Sequence, residues 1–272
     1  MPPLEIPRES VAPTFRKRNG IGTRSAVVTV VFCVLVFLYG RPIFAVLYTR
    51  WEARKIPELW VVPTPLADLS IDSSPGKKFS YLGYEFESPW TQVTKERKVQ
   101  SVAVVSFAGG QIISIGTGVG LFSSMQDGSA KRGAVVRLNF GGKPIDSDYA
   151  LLSRTLSLTP RDLRLSWSRR EMAGNSVLLT IKEIDIAHIR NGVYSFQTES
   201  LRGFQYGDPT HDKVVKIDAF DEKDRKIWLM IGAELKPNGR KPSQAEINRI
   251  LYSLRIDSSS SVKEPTAPQS PD

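Results

Sequence analysis

Residues Val193 to Leu235 read VYSFQTESLRGFQYGDPTHDKVVKIDAFDEKDRKIWLMIGAEL, and four strands are written into them. Val193–Thr198, Leu201–Tyr206, Val214–Phe220 and Ile227–Leu235 are short runs rich in β-branched and aromatic residues. Polar turn residues part them, and Asp221-Glu-Lys-Asp224 is a hairpin turn between the last two. Strands this close in sequence pair with their neighbours, so the segment predicts an antiparallel meander. Beyond Pro237-Asn-Gly239 and Pro242 comes Ser243-Gln-Ala-Glu246, the pattern in which a serine and a glutamate cap each other's backbone amides. Ile247, Ile250, Leu251 and Leu254 follow at helical spacing, and their apolar stripe must cover the sheet. The fold class is α+β.

Working back from there, Leu82, Tyr84 and Phe86 alternate with Gly83, Glu85 and Glu87, which predicts a half-buried strand over 79–87, stopped at Ser88-Pro89-Trp90. Val102–Phe107 and Gln111–Ile115 are two more strands parted by Gly109-Gly110, and Ala134–Phe140 reads as another. The period then changes. Tyr149 and Leu152 stand three apart, and Thr159-Pro160-Arg-Asp162 offers a cap, a first-turn proline and an acid for a helix to about Glu171. The alternation of Leu163, Leu165 and Trp167 leaves a strand open there. Residues 175–186 are apolar with an ambiguous period and read as helix.

At the other end, Ser25 to Tyr48 reads SAVVTVVFCVLVFLYGRPIFAVLY. Ala26 to Tyr39 carries no charge and no helix breaker; extended back to Ile21, the run spans the ~30 Å of a bilayer core at about 1.5 Å per residue. It reads as a single membrane anchor over residues 21–48. A cleaved signal would need small residues in an A-x-A-like pattern, and the exit is Gly40-Arg-Pro-Ile-Phe-Ala45. A buried helix would show a polar stripe, and Ala26 to Leu38 has none. The basic cluster Arg16-Lys-Arg18 ahead of the run, with no acid beside it, places the N-terminus in the cytoplasm and the body on the extracytoplasmic side. Trp51 and Trp60 suit the outer interface or a place on the body. The domain plan is a disordered tail 1–20, the anchor 21–48, a proline-rich linker 49–77 holding the body off the membrane, a body 78–256, and a Ser/Pro-rich tail 257–272.

The net charge of +9 is uneven, because residues 1–50 hold seven of the 37 basic but only two of the 28 acidic residues. The body is therefore only mildly basic, and a nucleic-acid partner is not expected. The one cysteine, Cys33, lies in the anchor, which excludes an intramolecular disulfide, a thiolate metal site and a cysteine nucleophile in the body.

An opening strand closed by Pro-Trp (Tyr84 to Trp90), a helical middle, a meander containing Arg202-Gly-Phe-Gln-Tyr-Gly207 and a closing helix Glu246 to Leu254 together resemble the PsbP-like α/β/α sandwich. The resemblance covers about residues 79–256. It implies a non-enzymatic binding or assembly module and transfers no site residue. This chain departs from the family's bacterial lipoproteins in having a span where they have a lipobox cysteine, and in the stretch Gly116 to Arg132, which reads as an insertion.

Each chemical candidate has a structural counterpart. His188 with Asp185 has the makings of a general base, and equally of a surface or capping histidine. Asp208, His211 and Asp212 suit a metal or a triad with a distant serine, but the run opens with Gly-Asp-Pro, a turn. Asp221, Glu222 and Asp224 offer oxygens for calcium without the loop spacing of an EF-hand. Gly116-Thr-Gly118-Val-Gly120 fits neither dinucleotide nor Walker spacing. Arg161, Arg164, Arg169 and Arg170 would point several ways around a helix, as on a solvated face. Trp90, Trp167 and Trp228 fall in core-bearing segments, where one has the option of lining a groove. Neither G-x-S-x-G nor H-E-x-x-H occurs.

The expectation is a single-pass protein whose body binds another envelope or membrane protein, with no enzyme activity, catalytic residue, metal or cofactor. The rivals are a hydrolase using His211 and Asp208, and a small-molecule or lipid receptor with an apolar pocket between sheet and helix.

Overall fold

The structure is a computed structural model that describes residues 39–40, 43–118, 145–165, 169–186, 192–233 and 239–256. Helix α1 covers residues 43–53. It is followed by β1 (Thr64–Pro65), β2 (Lys77–Tyr81), β3 (Tyr84–Ser88), β4 (Val93–Val99), β5 (Val102–Phe107) and β6 (Gln111–Gly118). After α2 (Asp148–Ser157) and α3 (Arg169–Ile186) come β7 (Val193–Gln197), β8 (Leu201–Tyr206), β9 (Val214–Asp221) and β10 (Lys226–Ala233). Helix α4 (Gln244–Ser253) and β11 (Arg255–Ile256) close the described chain.

Eight strands form the main sheet in the order β1-β7-β8-β9-β10-β6-β5-β4, antiparallel throughout except for β1 beside β7. The expected meander is β7 to β10, and β10 continues the sheet by pairing with β6, Ile231 opposite Ile113. A second sheet, β11-β3-β2, stands beside α4. Chain alternation sends side chains to opposite faces, and each face has its own core.

On the first face, Ala103, Val105, Phe107, Ile113, Ile115, Ile217, Leu229 and Ile231 meet the β2–β3 hairpin and α4. Helix α4 forms as its sequence foretells: the Ser243 side chain accepts from the Glu246 amide while the Glu246 carboxylate accepts from Ser243. Ile247, Ile250, Leu251 and Leu254 are all fully buried, each worth roughly 1.5–3 kcal/mol over an exposed position. Trp90 donates its indole N–H to Glu246 at 2.9 Å, which ties the Pro-Trp stop of β3 to the helix cap.

On the second face, Phe204 and Tyr206 of β8 and Val193 of β7 meet Leu151, Leu156, Leu178 and Leu179 of α2 and α3. Val46 and Ala53 of α1 and Leu59 belong to the same cluster. Lys182 of α3 is wholly buried there; its ammonium donates to the carbonyls of Val61 and Leu158, both at 2.6 Å.

Several expectations are corrected. Residues 79–87 are not one strand but a hairpin, with Leu82 (φ 56°) and Gly83 (φ 80°) forming the two-residue turn in which both φ values are positive. Strand β4 lay unread in Thr94-Lys-Glu-Arg-Lys98, because all its residues after Val93 are exposed and no apolar period marks it. The Thr159–Asp162 capping box is real, but it closes a single 3-10 turn over Pro160–Asp162, and the long helix starts at Arg169. Helix 175–186 lies within α3. The strand expected at 134–140 lies outside the described residues, as do 234–238 at the end of the last expected strand.

The linker 49–77 is strapped to the body. From Leu59 in the second core, the chain passes β1 on the β7 edge and reaches α4, where Asn248 donates to the carbonyls of Asp68 and Ser70, both at 2.8 Å. Arg249 donates to the carbonyls of Asp72 and Ser74 and pairs with Glu87 at 2.6 Å. Its prolines keep regular structure to short pieces, a 3-10 turn at Pro57–Trp60 and the two residues of β1, and several of its carbonyls are spent on the domain. Among the described residues no helix is long and apolar enough to cross a membrane. The uncharged core of the expected anchor, up to Leu38, lies outside them, whereas residues 43–48 belong to α1, with Val46 wholly buried in the body.

Candidate functional site

Strand register identifies a surface that hydropathy alone does not reveal. Phe204, Asp218, Trp228, Gly116, Val102 and Val99 are successive cross-strand neighbours from β8 to β4, so they share the second face. The next row is Tyr206, Lys216, Met230, Ser114, Val104 and Arg97. In both rows the β8 end is buried beneath α2 and α3, whereas from β10 outward the side chains emerge. Met230 is 44% exposed, Trp228, Ile112, Val102 and Val104 are half-buried, and Arg97 and Val99 are exposed. Among the described residues no helix packs on this half of the sheet.

Two details shape it. Gly116 lies under the Trp228 ring, and a Cβ there would sit 2.3 Å from Cζ2 of that ring. The glycine lets the indole lie close against the sheet. Beside Trp228, Asp218 is buried; its Oδ2 accepts from the Tyr206 hydroxyl at 3.2 Å and has Lys216 and Lys226 at 3.5 and 3.4 Å. Its Oδ1 is buried without a hydrogen-bond partner, a deficit of about 1–3 kcal/mol. The outer border is β4, which among the described residues is paired on one side only and points Lys95 and Arg97 to this face. On the opposite face Glu96 accepts from Tyr81, whose phenol is pushed up first by burial and then by that carboxylate.

The other described sequence candidates make contacts within their own turns and to the helix start nearby. His211, 70% exposed at the side chain, has its Nδ1 3.1 Å from Asp208 Oδ2 and 2.8 Å from the Thr210 hydroxyl. The Asp208 carboxylate also accepts from the Thr210 hydroxyl at 2.6 Å and the Thr210 amide at 2.8 Å. The Thr210 hydroxyl first, and His211 after it, hold that carboxyl below the usual range. Asp212 accepts from the Asp208 amide, closing the turn on itself. Asp221 accepts from the amides of Lys223 and Arg225 and pairs with the Arg225 guanidinium at 2.6 Å. Asp224, at φ 60°, reaches across to accept from the amides of Asp148 and Tyr149, so this hairpin tip adds to the Ser147 cap of α2, whose hydroxyl accepts from the Ala150 amide. Among the described residues no cluster of His, Cys, Asp or Glu has metal-binding geometry. The pairing of Asp185 with His188 lies outside the described side chains, as do Arg169, Arg170, Trp167 and the glycines beyond Gly118.

A groove of about 340 Å³ lies between the β7–β8 and β9–β10 turns, lined by Thr198, Glu199, Ser200, Arg202, Asp221 and Glu222. It is polar, and some of its groups are already engaged: Ser200 donates to the Leu254 carbonyl and Arg202 stacks 4.2 Å from the Tyr149 ring centre. The space between sheet and α4, where a lipid pocket was an option, is filled by Ile247, Ile250, Leu251 and Leu254.

Comparison with protein-family models, with curated proteins and with solved structures returned no match.

Proposed function

We propose that the chain is a single-pass membrane protein, anchored by the uncharged segment ahead of α1, whose extracytoplasmic body binds another envelope or membrane protein without catalysing a reaction. The PsbP-like layout belongs to this reading: helix and hairpin on one side of a sheet, helices on the other. The observation that carries the proposal is the half of the second sheet face that no described element covers. There Trp228, Met230, Ile112, Val102 and Val104 offer apolar contact, and the border strand β4 offers backbone groups on its outer side. Lys95 and Arg97 at that border favour an extended partner segment bearing acidic residues.

The test places a photo-crosslinking residue at Met230 or Val104 of the full chain in intact membranes, with Glu222 as control. One envelope protein captured from both open-face positions but not from Glu222, and lost on Arg97→Glu, supports the reading. Capture equally strong from Glu222, or capture untouched by Arg97→Glu, overturns it. In parallel, His211→Ala is expected to leave capture intact; loss of a hydrolytic activity in that variant would favour the enzyme.

A further inference from the structure

Helix α1 is a second surface, with a different chemistry from the open sheet. At about 100° per residue, Phe44, Leu47, Tyr48 and Trp51 fall in one sector of its circumference, while Val46 and Ala53 fall nearly opposite. Val46 and Ala53 are wholly buried in the body. Phe44, Leu47, Tyr48 and Trp51 are 69%, 52%, 52% and 53% exposed. The rings form a continuous ridge: Phe44 stacks on Tyr48 with centres 5.9 Å apart, and Tyr48 meets Trp51 at 6.2 Å. Trp60 and Val62, each 41% exposed, extend the apolar surface past the helix. Arg50, Arg54 and Lys55 are exposed around it; Lys55 sits 3.5 Å over the Trp51 ring and neutralises Glu52.

We infer that this ridge is an interfacial membrane surface, which lays the body on the bilayer with Phe44, Leu47, Tyr48 and Trp51 at headgroup depth. Three observations select lipid as the occupant. First, the ridge follows the uncharged run Ala26–Tyr39 after three residues, Gly40-Arg41-Pro42, and the body already packs against Tyr39 at the end of that run and against Ile43. A segment crossing the bilayer therefore delivers α1 to the interface with no slack. Second, an amphipathic helix bearing tryptophan, tyrosine and arginine is the chemistry that interface favours. Third, Arg50 and Arg54, exposed beside the ridge, complement anionic headgroups. The inference rests on the anchor reading and replaces a spacer that holds the body away from the membrane with direct contact.

The test reconstitutes the full chain, with Cys33→Ser, in phosphatidylcholine–phosphatidylglycerol vesicles and carries an environment-sensitive fluorophore on Leu47→Cys or, as control, on the exposed Lys78→Cys. Lipids bearing a nitroxide near the headgroup are expected to remove most emission from the position 47 label and leave the position 78 label unchanged. Trp51→Ser with Phe44→Ser is expected to reverse that quenching. Alkaline extraction of the same vesicles reports the anchor separately. A chain that resists extraction yet keeps its position 47 label in water overturns the ridge and leaves the anchor standing. A chain that is extracted by alkali but still shows lipid quenching at position 47 before extraction overturns the anchor and keeps the ridge. Cross-linking between the position 47 cysteines of two copies, in place of quenching, assigns the ridge to a dimer and overturns the inference.

Discussion

The two faces of the main sheet are closed by different physics. The first is sealed by apolar packing, with α4 and a hairpin driving aliphatic and aromatic side chains into strands that alternate cleanly. Among the described residues the second is sealed over only half its width, and that half depends on polar fastenings inside an apolar cluster: Lys182 between two carbonyls, and Asp224 gripping the start of α2. The difference teaches that the first face is built for stability, whereas the second divides its strands between structure and surface. Removing methylenes should break the first, and removing polar partners should break the second.

The largest effect is expected from Ile250→Ala on the first face, about 4 kcal/mol of lost stability in urea unfolding, because the site is enclosed and a cavity remains. A loss under 1 kcal/mol would show that α4 is not the lid of a packed core.

Lys182 provides the matching probe on the second face. Burial drives its amine down to about 8 from 10.5, against the smaller opposing pull of Asp162. The unfolded chain therefore binds more protons than the folded one between those values, and stability should rise with pH from about 8 to 10.5. Below pH 8 the cost of burying the charge is fully present, about 3 kcal/mol. Denaturant unfolding across that range should lose this slope in Lys182→Met; an unchanged slope would place its origin elsewhere.

Asp224→Ala removes the acceptors of the first two α2 amides, leaving the Ser147 cap in place, and puts alanine at a positive φ, with an expected cost of about 1–2 kcal/mol in thermal unfolding. Asp224→Asn, which tolerates that backbone and keeps one acceptor, should recover roughly half. The smallest effect belongs to Met230→Ser on the open half, within about 0.5 kcal/mol in stability but with loss of partner capture. A large destabilisation there would mean that the open half is core after all.

Sequence and structure agree where one physical signal dominates. The β-branched runs from Val193 and the reciprocal Ser243–Glu246 cap left little choice of element. The Leu82 turn was hidden because a leucine at positive φ carries no glycine-like mark on both central positions, and Tyr84 and Phe86 continue the alternation set by Leu82. Strand β4 was hidden because a border strand exposed on both faces is free to be written in Lys, Glu and Arg. The strapped linker was hidden because its fastenings are side chains of α4, Asn248 and Arg249, that lie far away in sequence. The open face was the least legible of all. Trp228 and Met230 look like core in the sequence, and only the row that joins them to Gly116, Val102 and Arg97 shows where cover stops.

The Asp224 clasp also bears on the order in which the molecule is made. Helix α2 has its local cap in Ser147 but waits for residue 224 to satisfy its first two amides, and β6 waits for β10 before it is flanked on both sides. Such high contact order slows folding, so the first half of a nascent chain emerges without the neighbours that complete it. Release of the C-terminal third from the ribosome is therefore the event that lets the whole body consolidate, and a chain truncated before Ile227 is left with unfinished strands and no route to a native state.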